Sequence, residues 1–154
     1  NGASILWTIK VEGSFEMKCY HVFISHAWKY SEHYNKVVTW LNEAQEEGLL
    51  TWSNYSVPQH NPLLDPSSNA GKKILRGEID DQISPASIVL ILSGMYAAHS
   101  EWIEYEMLKA VDKGKHIVGI KPWGQERVPT LITAYADKMV GWNKSSVIKA
   151  LLDS

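Results

Sequence analysis

Glu106 is the residue of this 154-residue chain whose type and setting best suit chemistry. It lies in the string Ser100-Glu101-Trp102-Ile103-Glu104-Tyr105-Glu106-Met107-Leu108-Lys109-Ala110-Val111, shortly after the most apolar run, Ser87-Ile88-Val89-Leu90-Ile91-Leu92-Ser93. Read as a helix at ~100° per residue, Ile103, Met107, Ala110 and Val111 share one arc, and Trp102 and Glu106 stack four apart just beside it. Glu106 then stands at the edge of the buried face. Either its tip reaches water, as with most glutamates, or the carboxylate is partly desolvated and points into a cleft, where its proton affinity changes. One carboxylate among flat aromatic walls suits cleavage of an N-glycosidic bond. The transition state places positive charge on the ribose carbon, which a carboxylate stabilises. A leaving group such as nicotinamide is already cationic and requires neither a metal nor a second acid.

The elements that must position this residue alternate along the chain. Cys19–Ser25 reads as a short buried strand, and residues 25–30 form a polar-aromatic turn containing His26 and Trp28. Ser31 can cap a helix with apolar positions Tyr34, Val37, Val38, Leu41 and Ala44, stopped by Gly48. Residues 49–56 supply a second strand carrying Asn54 and Tyr55. Residues 57–66 hold three prolines and form a long loop, a length often associated with function. A helix starting at Ser68 or Asn69 repeats Leu75, Ile79 and Ile83 and ends at Ser84-Pro85. After the Ile88 strand and the Glu106 helix, Lys113-Gly114-Lys115 is a stop, followed by a strand over His116–Ile120. The tail reads as a short helix over 129–136, a fifth strand over 138–142 and a last helix over 145–152.

Strands that alternate with helices and are nearly continuous in apolar character predict an α/β, flavodoxin-like three-layer domain. Its five-stranded parallel sheet has the order 2-1-3-4-5, with helices on both faces. Ligands in such folds sit beyond the carboxyl ends of the strands, at the switch between strands one and three. That gathers the 25–30 turn, the 52–66 loop, the 93–99 loop and the start of the Glu106 helix around one crevice. Residues 1–16 alternate as Ile5, Trp7, Ile9 and Val11 and precede Met17. They read as an appended piece or an edge strand, with residues 17–154 as the domain proper.

Composition and motif spacing exclude several alternatives. The chain is 45% hydrophobic and 21% charged, with a net charge of −2, which describes a globular domain without a dense basic run for duplex nucleic acid. The apolar runs are too short to span a bilayer and no secretory signal is evident. The lone Cys19 makes no internal disulfide, so a reducing, cytoplasmic setting is expected. A receiver domain would place acidic residues after strand one and an Asp after strand three, but Ser25-His26 and Ser93-Gly94 stand there. There is no Gly-x-Gly-x-x-Gly and no hydroxyl-rich phosphate loop. The six His form no zinc-spaced pair. Cys19 lies at the wrong end of the sheet for a nucleophile, and the adjacent Ser25 and His26 point apart on a strand end. What remains is Glu106 in a crevice with Ser25, His26, Trp28, Asn54, Tyr55 and Trp102.

Val22-Phe23-Ile24-Ser25-His26 resembles the opening strand of Toll/interleukin-1 receptor (TIR) domains, and the 100–107 string resembles their Ser-x-Trp-x-x-x-Glu helix. Together with Trp52-Ser53-Asn54-Tyr55-Ser56-Val57 before the proline-bearing loop, the similarity is closest to the bacterial TIR-like family that includes the TIR subunit of Thoeris antiphage systems. It covers about residues 19–122. The resemblance implies that Glu106 is the catalytic residue for NAD cleavage. It further implies that Ser25, His26 and Trp28, with Asn54 and Tyr55, line the nucleotide site; Glu104, two residues before Glu106, points about 160° away on the helix and is expected at the surface. NAD would be a substrate, with no cofactor. The product would be an ADP-ribose-derived signal read by a separate effector, and the chain would assemble with itself or with other defence proteins, away from membranes and nucleic acid. Two other readings stay open: a non-catalytic TIR-like interaction module, and a nucleoside-processing glycosidic-bond enzyme.

Overall fold

The computed structural model describes residues 18–25, 31–56, 68–93, 100–121, 128 and 130–154. Five strands, β1 (Cys19–Ser25), β2 (Thr51–Asn54), β3 (Ile88–Leu92), β4 (His116–Ile120) and β5 (Lys138–Val140), form one all-parallel sheet in the order β2-β1-β3-β4-β5. The helices are α1 (Ser31–Glu46), α2 (Asn69–Ile83), α3 (Ser100–Asp112), α4 (Thr130–Tyr135) and α5 (Lys144–Leu152). The expected fold class and strand order are those of the structure.

All five residues of β3 are buried, because the central strand has a strand on each side and helices above and below. Burying a side chain such as Ile91 contributes about 1.5–3 kcal/mol. The helices divide between the two faces. α1 packs against α5 on one face, and α2, α3 and α4 follow one another across the other. Lys144 at the start of α5 reaches Glu43 at 3.3 Å and Glu47 at 2.6 Å on α1, fastening that pair. α1 buries Val37, Trp40, Leu41 and Ala44, and the Trp40 ring meets Trp142 at 4.9 Å. Trp40 was absent from the expected stripe, whereas Val38 is only partly buried.

Helix ends follow local chemistry. The Ser68 hydroxyl accepts from the Gly71 N–H at 3.0 Å and caps α2. Asn143 does the same for α5 through the Ser146 N–H at 2.8 Å, so that helix begins at Lys144, one residue before the position expected. Gly48 and Gly114 take positive φ, at 75° and 67°, where α1 and α3 stop, a conformation that costs glycine little and other residues more. β2 is shorter than the predicted 49–56. As an edge strand it pairs only with β1, and Asn54 turns the chain by accepting from the Ser56 N–H at 2.9 Å. Among the described residues, no helix is long and apolar enough to cross a membrane.

Candidate active site

Parallel pairing sets the face on which each candidate lies. Phe23 and Ser25 share one face of β1, opposite Val89 and Ile91 of β3, and this is the face that α3 covers. Tyr20, Val22 and Ile24 point to the other face, toward α1. Ser25 ends β1 and Ser93 follows β3, on the two strands between which the order of the sheet reverses. Ser25, Ser93 and Glu106 are the buried polar or charged side chains among the described residues, and both serines stand at this switch point. The buried seryl side chain at position 93 was missed at the level of individual residues. Its signal was a hydroxyl directly ending an uninterrupted apolar strand.

Glu106 is more deeply placed than the helical arc suggested. The buried stripe of α3 is Ile103, Glu106, Met107 and Ala110, with Glu106 only 6% exposed, while Val111 is 40% exposed. The stripe is therefore rotated by one position, so Glu106 lies within it rather than at its edge. Desolvation pushes the Glu106 carboxyl up to about 8 from its ordinary 4.5, and the nearby Ser25 hydroxyl opposes that rise. Neither Glu106 Oε2 nor Ser25 Oγ meets full hydrogen-bond geometry with any partner, although both atoms are sealed from solvent. A buried carboxyl oxygen without a partner is costly, which makes Glu106 the candidate for a functional site.

The remaining candidates are arranged differently. Asn54 stands on the α1 side of the sheet, where its Nδ2 donates to the Tyr34 hydroxyl at 2.7 Å. Tyr55 is on the Glu106 side, next to the edge of β1: its N–H donates to Val22 O at 2.8 Å and its ring lies 5.1 Å from that of His21. Just beyond, the Ser56 hydroxyl accepts from the Ile24 N–H at 3.0 Å. Trp102 lines an open groove of about 370 Å³ between α2 and α3 with Arg76, Glu101, Glu104, Tyr105 and Leu108, a groove in which Ser25 and Glu106 take no part. Its ring meets Tyr105 edge-on at 6.2 Å. Glu104 is exposed. His26, Trp28, the 57–66 loop and residues 1–17 lie outside the described residues. The structure thus brings Ser25 and Glu106 together, sets Tyr55 on the same face, and turns Asn54 and Trp102 to other surroundings.

Among the described residues, no three His, Cys, Asp or Glu side chains gather as a metal site. What the arrangement offers is one buried carboxyl, its proton held by desolvation, near the carboxyl end of β1.

The family model for the TIR-like domain of Thoeris protein ThsB matches residues 23–127. No curated protein matches the sequence. Among solved structures, the Clostridium botulinum CMP N-glycosidase BcmB superposes with a TM-score of 0.53. The match covers 87% of this chain and 99% of that one, at 14% identity, and is a likeness of fold.

Proposed function

The chain belongs to the TIR-like domain family of Thoeris protein ThsB, and from that membership we propose that it cleaves the nicotinamide N-glycosidic bond of NAD. The observation that carries this reading is the buried Glu106 carboxyl, with its unpartnered oxygen beside Ser25 at the switch point. In the reaction the ribosyl C1′–N bond breaks and its electron pair leaves with nicotinamide, neutralising the pyridinium. Ionised Glu106 stabilises the cation that develops at C1′. Water or a hydroxyl then captures C1′ and gives up its proton to the Glu106 carboxylate or to solvent, so the ADP-ribose is hydrolysed, cyclised or transferred.

Burial leaves Glu106 protonated at neutral pH in the free protein. A bound pyridinium ribose supplies the opposite charge that favours the ionised form, so substrate entry and proton loss go together. The rest of the nucleotide lies over the carboxyl ends of β1 and β2, near Tyr55, with His26 and Trp28, which follow β1 in sequence, as further candidates for binding it. In this reading the product is a signal nucleotide for a separate effector in antiphage defence, and assembly with itself or with other defence proteins brings the chain to activity.

The test is incubation of wild type, Glu106→Gln and Glu106→Ala with NAD in phage-infected lysate, followed by mass analysis of nucleotides. Wild type releases nicotinamide, and both variants lose ~10²–10⁴-fold of that rate. Retained turnover in both variants would overturn the assignment.

The superposition over nearly the whole CMP N-glycosidase chain favours one second reading, a nucleoside monophosphate with a neutral base as substrate. There the protonated form of Glu106 would be the useful one, giving its proton to the leaving base. Release of cytosine from CMP without release of nicotinamide from NAD would select it.

A further inference from the structure

We propose that the outer face of α3, with the groove between α2 and α3, is a two-fold interface between two copies of this chain. The proposal goes beyond the catalytic reading and stands whichever bond Glu106 acts on.

The outward face of a surface helix is ordinarily polar, and α3 follows that rule only in part. Leu108 and Val111, one turn apart on it, are both 40% exposed. The neighbouring α4 packs on α3 and carries the exposed Tyr135. Trp102 and Tyr105 stand beside Leu108 as half-buried walls of the groove. An apolar strip bordered by charge suits contact with another protein. Tryptophan, tyrosine and arginine are the side chains enriched where such contacts are strongest.

The bordering charges point to a second copy as the occupant. Among the described residues, the ion pairs of this face are Lys72 with Glu101 at 3.3 Å and Lys109 with Asp80 at 3.9 Å, which leaves Arg76 without a carboxylate. Arg76 is exposed and reaches over the Tyr105 ring at 5.9 Å from the α2 side. Glu104, Leu108 and Tyr105 follow one another around α3 over about 100°. The exposed Glu104 therefore lies on the opposite side of Leu108 and Tyr105 from Arg76. An isologous contact requires a patch that is complementary to itself. A two-fold axis passing between Arg76 and Glu104 satisfies this: each meets the other across the interface, twice, with Leu108 and Tyr105 enclosed. A border of one sign would instead repel its own copy.

The interface and the buried carboxyl use different sides of one helix. Leu108 stands about 160° around α3 from Glu106, so association leaves the switch point uncovered.

The test is sedimentation velocity of the full chain from about 1 µM to 1 mM, a span that captures weak and moderate affinities. Wild type passes from monomer to dimer. Leu108→Glu sets a carboxylate in the apolar centre, while Arg76→Glu and Glu104→Arg each oppose like charges. Each of the three raises the Kd by about tenfold or more. Mixed in equal amounts, Arg76→Glu and Glu104→Arg form a heterodimer of near wild-type affinity, because both pairs across the interface are again opposite in sign. All three positions are exposed, so the variants keep the fold, which matching circular dichroism spectra check. Wild type that stays monomeric throughout overturns the proposal and leaves the groove to a partner of another sequence. A dimer that persists unchanged in any of the three variants overturns it too, as does a mixture that stays monomeric. No measurement here reads turnover, so failure of the catalytic reading leaves the result intact.

Discussion

Tyr105 and Glu106 follow one another on α3, and both hold their protons more tightly than usual, yet the protein treats them in opposite ways. Tyr105 faces outward into a satisfied network. Its hydroxyl donates to Asp80, two cations lie over its ring, and burial together with Asp80 pushes it up to about 12. Glu106 faces inward, and burial alone pushes it up, with a buried oxygen left unpartnered. Proton retention at Tyr105 comes from burial first and then from the Asp80 hydrogen bond that helps hold α2 to α3. Retention at Glu106 has no such structural return, and it is this unreturned polar burial that makes the carboxyl the candidate for a ligand site.

The sharpest way to break this contrast is the pH dependence of turnover. If ionised Glu106 does the work on NAD, kcat/KM rises about tenfold per pH unit toward a midpoint near 8 and then levels. A substrate with a neutral base that takes the proton reverses the slope, with activity falling as pH rises through the same midpoint. A profile flat from pH 6 to 9 with either nucleotide would remove Glu106 from the chemistry.

Stability gives a second measure. The folded-state proton affinity of Glu106 is raised, so between the ordinary 4.5 and about 8 the native state holds a proton that the unfolded state has lost. The stabilisation is complete below the lower value and declines as pH rises, at roughly 1 kcal/mol per pH unit across this window. Glu106→Gln has no proton to lose. In urea unfolding it is more stable than wild type at pH 8 by a few kcal/mol, and the gap closes near pH 4.5. A constant gap at both pH values would mean that the carboxyl is solvated. The smallest effect is expected at the satisfied neighbour: Tyr105→Phe loses about 1 kcal/mol in the same unfolding experiment and leaves turnover at the wild-type rate. Loss of turnover in that variant would dissolve the distinction between the two faces.

The sheet was legible because its information is local and strong. The bounds of β1, Cys19–Ser25, and the uninterrupted run of β3 follow from apolar runs closed by hydroxyl residues. Parallel pairing and the switch point follow in turn from strand–helix alternation. Glu106 was legible as a candidate, but its depth was not. The stripes 103, 107, 110, 111 and 103, 106, 107, 110 both fit helical spacing, and a hydrophobicity pattern always prefers the valine to the glutamate. The packing of α3 on β1 and β3 decides between them, and that is a tertiary fact. Asn54 is a case where the chain held more than was taken from it. Trp52 and Asn54 lie two apart on one strand and share a face, and Trp52 donates to Asn42 of α1 at 3.0 Å, so period-two alternation already turned Asn54 toward α1. The roles of Ser93 and Ser56 as buried and bridging hydroxyls depend on strand neighbours distant in sequence.

The unpartnered carboxyl also bears on how such a domain changes under selection. With Glu106 catalytic as proposed, activity and thermal persistence favour different residues at position 106, so a mutagenised library screened at pH 8 for heat tolerance alone is enriched in Gln or apolar residues there. On the proposed function, those survivors fold well and catalyse nothing. On that reading, selection for the glutamate comes from the output of the reaction, and a lineage released from that demand drifts first at position 106, turning the fold into a sturdier scaffold.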